Sequence, residues 1–121
     1  MTGQSKYMDA YFEEAETIMA TRKIAVMVDE KAEVRKEYLP DVLVDGIMAK
    51  KNLGTRISDA PLVIGIGPGF TAAGDCHFVI ETQRGEHLGE VIREGSAIPN
   101  TGIPGNIGGY TVERLLKASA D

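Results

Sequence analysis

The sequence has no tryptophan, three phenylalanines, four tyrosines and a single cysteine in 121 residues. The lone Cys76 excludes an internal disulfide and suits a reducing, cytoplasmic setting. The shortage of aromatics leaves little for base stacking, and a net charge of -5 argues against a general nucleic-acid binder. No apolar run approaches the length of a membrane span, and the N-terminus lacks the basic-then-apolar layout of a signal peptide, so no membrane partner is expected. Neither of the two histidines lies in a nucleophile elbow, which leaves a Ser/His/Asp triad without support. What is present is an ordinary globular balance, 43% hydrophobic and 26% charged, with a length that fits one domain over residues 1–121.

Apolar residues at Met8, Tyr11, Phe12, Ala15, Ile18 and Met19 have the three-and-four spacing of an amphipathic helix over Tyr7 to Thr21. Ile24 to Val28 reads as a compact apolar strand, and Lys31 to Tyr38 as a short charged helix stopped by Pro40. Asp41 to Val44 opens a further apolar run that continues through Ile47 and Met48, as strand then helix or as one long strand. Leu62 to Ile66, Cys76 to Thr82 and Gly89 to Arg93 read as strands, the last two forming a hairpin about Gly85. Ser96 to Gly109 is too rich in Gly and Pro for regular structure, and Tyr110 to Ser119 fits a helix or a strand. The alternation of helix and strand predicts an α/β fold: a mixed sheet with an N-terminal helix and a glycine-rich β-hairpin region.

Three places carry candidate chemistry. Gly67-Pro68-Gly69-Phe70-Thr71-Ala72 fits a loose dinucleotide pattern after a strand, but that mechanism needs a helix to start at the glycines. Asp75 and the strand at Cys76 follow at once, so the Rossmann reading is rejected; Gly67 and Gly69 make either a tight turn or a backbone anion nest. Strand alternation puts Asp75, His77, Val79 and Glu81 on one face and Cys76, Phe78 and Ile80 on the other. His77 and Glu81 then stand roughly 13 Å apart and cannot share one ion without a bulge, so no metal site is expected. Cys76 is expected to be a buried hydrophobe rather than a nucleophile. Lys50, Lys51 and Arg56 form the only basic concentration; it is either a solvated loop or an anion site, with Asn52, Gly54 and Thr55 adding donors and Arg84 facing the same way.

The order of these motifs resembles one family. The carriers are Asp41-Val42-Leu43-Val44-Asp45-Gly46-Ile47-Met48-Ala49-Lys50-Lys51-Asn52-Leu53-Gly54-Thr55, then Ala60 to Ile64 with Gly67 to Ala72, then His77 with Val79-Ile80-Glu81-Thr82 and Arg84-Gly85, and Thr101 to Gly105 with Gly108-Gly109-Tyr110. The chain looks like the selenium-dependent molybdenum hydroxylase system accessory proteins, the YqeB family, from about Glu14 onward. A histidine that follows Arg-Gly in the family is displaced here: Glu86 takes its place and His87 comes one position later. The resemblance implies members about twice this length, with a glycine-rich nucleotide-binding-like segment before this portion and more chain after it, so that residues 1–121 correspond to a central fragment.

The resemblance also implies a role in maturing molybdenum hydroxylases related to xanthine dehydrogenase, through handling or modification of the molybdenum cofactor, with the hydroxylase apoenzyme or its cofactor as partner. A molybdopterin-type ligand carries a phosphate, and the residues expected to meet it are Lys50, Asn52, Gly54, Thr55, Gly67, Gly69, His77, Glu81 and Arg84. The alternatives are a selenium- or sulfur-transfer enzyme, or a nucleotide-dependent one, completed by other segments, and a plain interaction module. The exposed edges of an isolated sheet also make a homodimer an expectation.

Overall fold

A computed structural model describes residues 6–99 of the chain, which divides after Pro40 into two compact units. In the first, α1 (Lys6–Ala20) forms where the apolar spacing predicts it. It ends where Arg22 adopts a left-handed conformation (φ 64°) after its N–H donates to the Met19 carbonyl. The Asp29 carboxylate accepts the N–H groups of Glu33 and Val34 at 2.9 and 2.8 Å and so organises the turn into α2 (Arg35–Tyr38). Leu39 (φ 52°) and Pro40 close that single turn. The Phe12 and Tyr38 rings meet edge to face, 6.2 Å between centroids, and tie the two helices together.

The stretch expected as a strand at Ile24 to Val28 is a correction: it belongs to no sheet. Ile24, Val26 and Val28 are 90%, 89% and 86% exposed. β-branched residues favour an extended backbone, but a strand exists only when its backbone groups are paired with a neighbour.

The second unit is built on a four-stranded sheet in chain order: β1 (Val42–Asp45), β2 (Leu62–Ile66), β3 (Phe78–Ile80) and β4 (Val91–Ile92). The first three are parallel and the last is antiparallel, so the fold is α/β with a mixed sheet. β1 stops at Asp45, because Gly46 and the left-handed Met48 (φ 59°) turn the chain away; neither a longer strand nor a helix follows. A single 3₁₀ turn, Ile57–Asp59, precedes β2. The segment expected as a strand from Cys76 to Thr82 is regular only over Phe78–Ile80. Residues 100–121, and with them the readings of Tyr110 to Ser119 and most of Ser96 to Gly109, lie outside the described residues.

Parallel neighbours are usually joined by a helix that covers the sheet. Here the 67–77 connection is irregular and covers it with side chains of its own. Phe70, Ala72 and Cys76 pack with Val63, Val79, Ala60 and Ala97 into the core, with Leu43 and Ile92 against its margin. The Phe70 ring lies directly on Gly65: a Cβ there would fall 2.5 Å from Phe70 Cγ. Register places Asp45, Gly65, Val79 and Ile92 side by side on this covered face. The opposite face carries Val42, Val44, Ile64, Phe78, Ile80 and Val91, which are half-buried or exposed, and Arg93 lies 5.3 Å from the Phe78 ring centroid.

Gly65→Ala is expected to displace Phe70 and lower stability by about 1–3 kcal/mol, the usual penalty of overpacking. Urea denaturation of the variant against the wild-type chain measures it, and an unchanged midpoint would show that the ring moves aside at no cost.

Candidate functional site

In an open parallel sheet, the carboxyl ends of the strands carry the loops that meet ligands. Because β1, β2 and β3 run the same way, three loops leave this sheet on one edge: residues 46–56 after β1, the glycine turn after β2, and the turn after β3. They touch. A Cβ on Gly69 would lie 2.6 Å from Lys51 Cα, so the glycine turn is pressed against the backbone of the basic loop. A Cβ on Gly67 would lie 3.1 Å from Thr82 Oγ1 and 3.5 Å from Met48 Cε, which joins all three loops. Gly67 (φ 85°) and Gly69 (φ 109°) both hold left-handed conformations that favour glycine. No helix follows them.

The basic loop is organised from within. Asn52 Oδ1 accepts the N–H groups of Gly54 and Thr55 at 2.9 and 2.7 Å, and Asn52 Nδ2 donates to the Thr55 carbonyl at 2.8 Å. The Thr55 hydroxyl donates to Asp45 Oδ2 at 2.6 Å, and the Ile47 N–H donates to Asp45 Oδ1 at 3.1 Å. Asn52, Gly54 and Thr55 thus spend these donors on the loop itself. Lys50 and Lys51 are exposed, and among the described residues neither makes an ion pair. Arg84 is exposed in the turn after β3, two residues beyond Thr82.

Glu81 and His77 belong to the scaffold. Glu81 is 3% exposed; its Oε1 accepts the N–H groups of Thr82 and Gln83 at 3.0 and 2.9 Å, and its Oε2 accepts that of Ile98 at 2.9 Å. A carboxylate buried in this way is stabilised by charge-assisted bonds, and it ties the turn after β3 to residue 98. His77 stands at the other end of its strand. The ring Nδ1 accepts the Val63 N–H at 2.9 Å, while the His77 backbone N–H donates to the Val63 carbonyl at 2.8 Å. The imidazole therefore extends the β2–β3 ladder by one bond, with Nε2 as the remaining N–H. The structure brings Lys50, Asn52, Gly54, Thr55, Gly67 and Gly69 to one edge, with Glu81 beneath it, and sets His77 apart at the amino-terminal end.

Cys76 is fully buried, as expected, but for another reason than strand alternation. It precedes β3 and joins the core from the connecting loop, and the face it packs against is the one bearing Val63 and Val79. Burial pushes its thiol above the usual range, and the charges of Asp75 and Asp45 push the same way, against a backbone hydrogen bond from Gly65. No group of three His, Cys, Asp or Glu residues that could hold a metal ion occurs among the described residues, and none of their helices is long and apolar enough to cross a membrane. Sequence reasoning missed Asp45 and Thr82. The available signal for Asp45 was an acidic residue closing an apolar strand run.

Two outcomes test this account. Glu81→Gln leaves one acceptor oxygen for three N–H donors, and stability should fall by about 1–3 kcal/mol in urea denaturation. Cys76 should react with a thiol reagent far more slowly in the folded chain than in urea, since both access and thiolate fraction are low; equal rates would place the thiol at the surface.

No protein-family model matches the chain, and no solved structure does. The chain is 52% identical over 108 residues to "Uncharacterized protein YqeB" of Escherichia coli (strain K12), a match that takes in 88% of this chain and 20% of that protein. The chain thus spans about one fifth of the relative's length, well short of the half that the family resemblance implied. The matched residues are thus similar to one segment of that longer protein.

Proposed function

We propose that this chain is the anion-binding portion of a cytoplasmic accessory protein that helps mature a molybdenum hydroxylase of the xanthine dehydrogenase type. It would do so by handling its molybdenum cofactor, in the selenium-dependent form of that pathway. The observation that carries the reading is the contact of Gly69 with Lys51. It places two lysines without ion-pair partners among the described residues beside a left-handed glycine turn, at the carboxyl ends of parallel strands. A phosphate monoester such as the one on a molybdopterin suits that donor set, because ammonium groups supply charge and a glycine turn allows close approach of a backbone. Here the cofactor is cargo, and Lys50 and Lys51 would hold its phosphate with Arg84 at the margin. The burial of Cys76 favours this over a selenium- or sulfur-transfer enzyme working through that thiol.

Isothermal titration with a molybdopterin-type ligand and with simple nucleotides, beside Lys50→Ala, tests the proposal. Binding should weaken roughly fivefold in the variant, about 1 kcal/mol for one exposed charge-assisted contact. It should also weaken with added salt. Absence of binding to the wild-type chain would instead favour direct contact with the hydroxylase and return the loop to a solvated surface.

A further inference from the structure

We propose that Asp45, acting through Thr55, is the positioning residue that sets Lys50 and Lys51 for an anionic ligand; the inference rests on the anion-binding reading above. Asp45 ends β1 in register with Gly65 and is 8% exposed. One carboxylate oxygen accepts the Ile47 N–H at the start of the basic loop, and the other accepts the Thr55 hydroxyl at its end. The two bonds clamp the base of the loop that presents both lysines. Within that loop Met48 (φ 59°) and Lys50 (φ 67°) are left-handed, a conformation that long side chains rarely choose for themselves. The contacts around the loop hold it there: the Asp45 clamp at its base, the Asn52 bonds at its tip and Gly69 against Lys51.

Burying a carboxylate is costly unless its oxygens are satisfied. Apolar residues could close the loop base without that cost, but they would not fix its direction as two hydrogen bonds do. The chemistry chosen at this position therefore favours geometry over stability. Preorganised donors bind more tightly because the ordering is complete before the ligand arrives.

The test is titration of inorganic pyrophosphate into the wild-type chain, Thr55→Val and Thr55→Ser, with limited trypsin digestion after Lys50 and Lys51 followed in parallel. Thr55→Val removes the hydroxyl at nearly constant volume; it should weaken pyrophosphate roughly fivefold and speed cleavage at both lysines. Thr55→Ser restores the hydroxyl and should return both readouts to the wild-type level. Thr55→Ala gives the same comparison should the valine variant fail to fold. Wild-type binding that is undiminished in Thr55→Val overturns the positioning role and leaves the anion site standing. No binding by the wild-type chain overturns the anion reading itself, and the positioning role with it.

Discussion

The second unit depends on the seat of the Phe70 ring on Gly65. A parallel pair of strands needs a cover, and β2 and β3 have no helix between them to provide one. The connection turns back at Gly67 and Gly69 and lays Phe70, Ala72 and Cys76 over the sheet. Gly65 makes this possible, because any side chain there would occupy the ring's place. The same fold-back presses Gly69 onto the backbone of Lys51. The core and the candidate site are therefore one geometric event: the loop that seals the apolar face also sets the glycine turn beside the basic loop.

Around that event the polar groups divide by purpose. Asp45, Glu81, Asn52 and His77 give the oxygen or nitrogen atoms described above to backbone amides or to a hydroxyl, and so fix loops at both ends of the sheet. Lys50, Lys51 and Arg84 remain at the surface. A rigid polar scaffold beneath a few exposed cations is the arrangement in which charge can act on a ligand with little further ordering.

Much of the sheet was legible in the sequence. Leu62 to Ile66 was marked by an apolar, β-branched run between Pro61 and Gly67, and α1 by its apolar spacing. Ile24 to Val28 shows the limit: composition reports a preference for extended backbone, whereas a strand also requires a neighbour, which local sequence does not encode. Cys76 makes the same point on a smaller scale. It is buried as expected, but not beside Phe78 and Ile80: the regular strand starts two residues later, and Cys76 enters the core from the connecting loop on the opposite face. At the site, residue types indicated the basic loop and the glycine turn separately. Their contact depends on parallel pairing between segments distant in the chain, and the commitment of Asn52 and Thr55 to internal bonds emerges only once the loop is closed.

The strand order adds a consequence for how the sheet is made. Each strand pairs with the one that precedes it in the chain, so no strand is inserted between two already joined. During synthesis β1 and β2 can therefore meet before β3 exists, and each later segment adds to a free edge. The apolar face of the β1–β2 pair stays wet until Phe70 has emerged and swung back. On this face of the sheet, that interval ends as the Phe70 ring settles on Gly65 and the rest of the connection packs behind it.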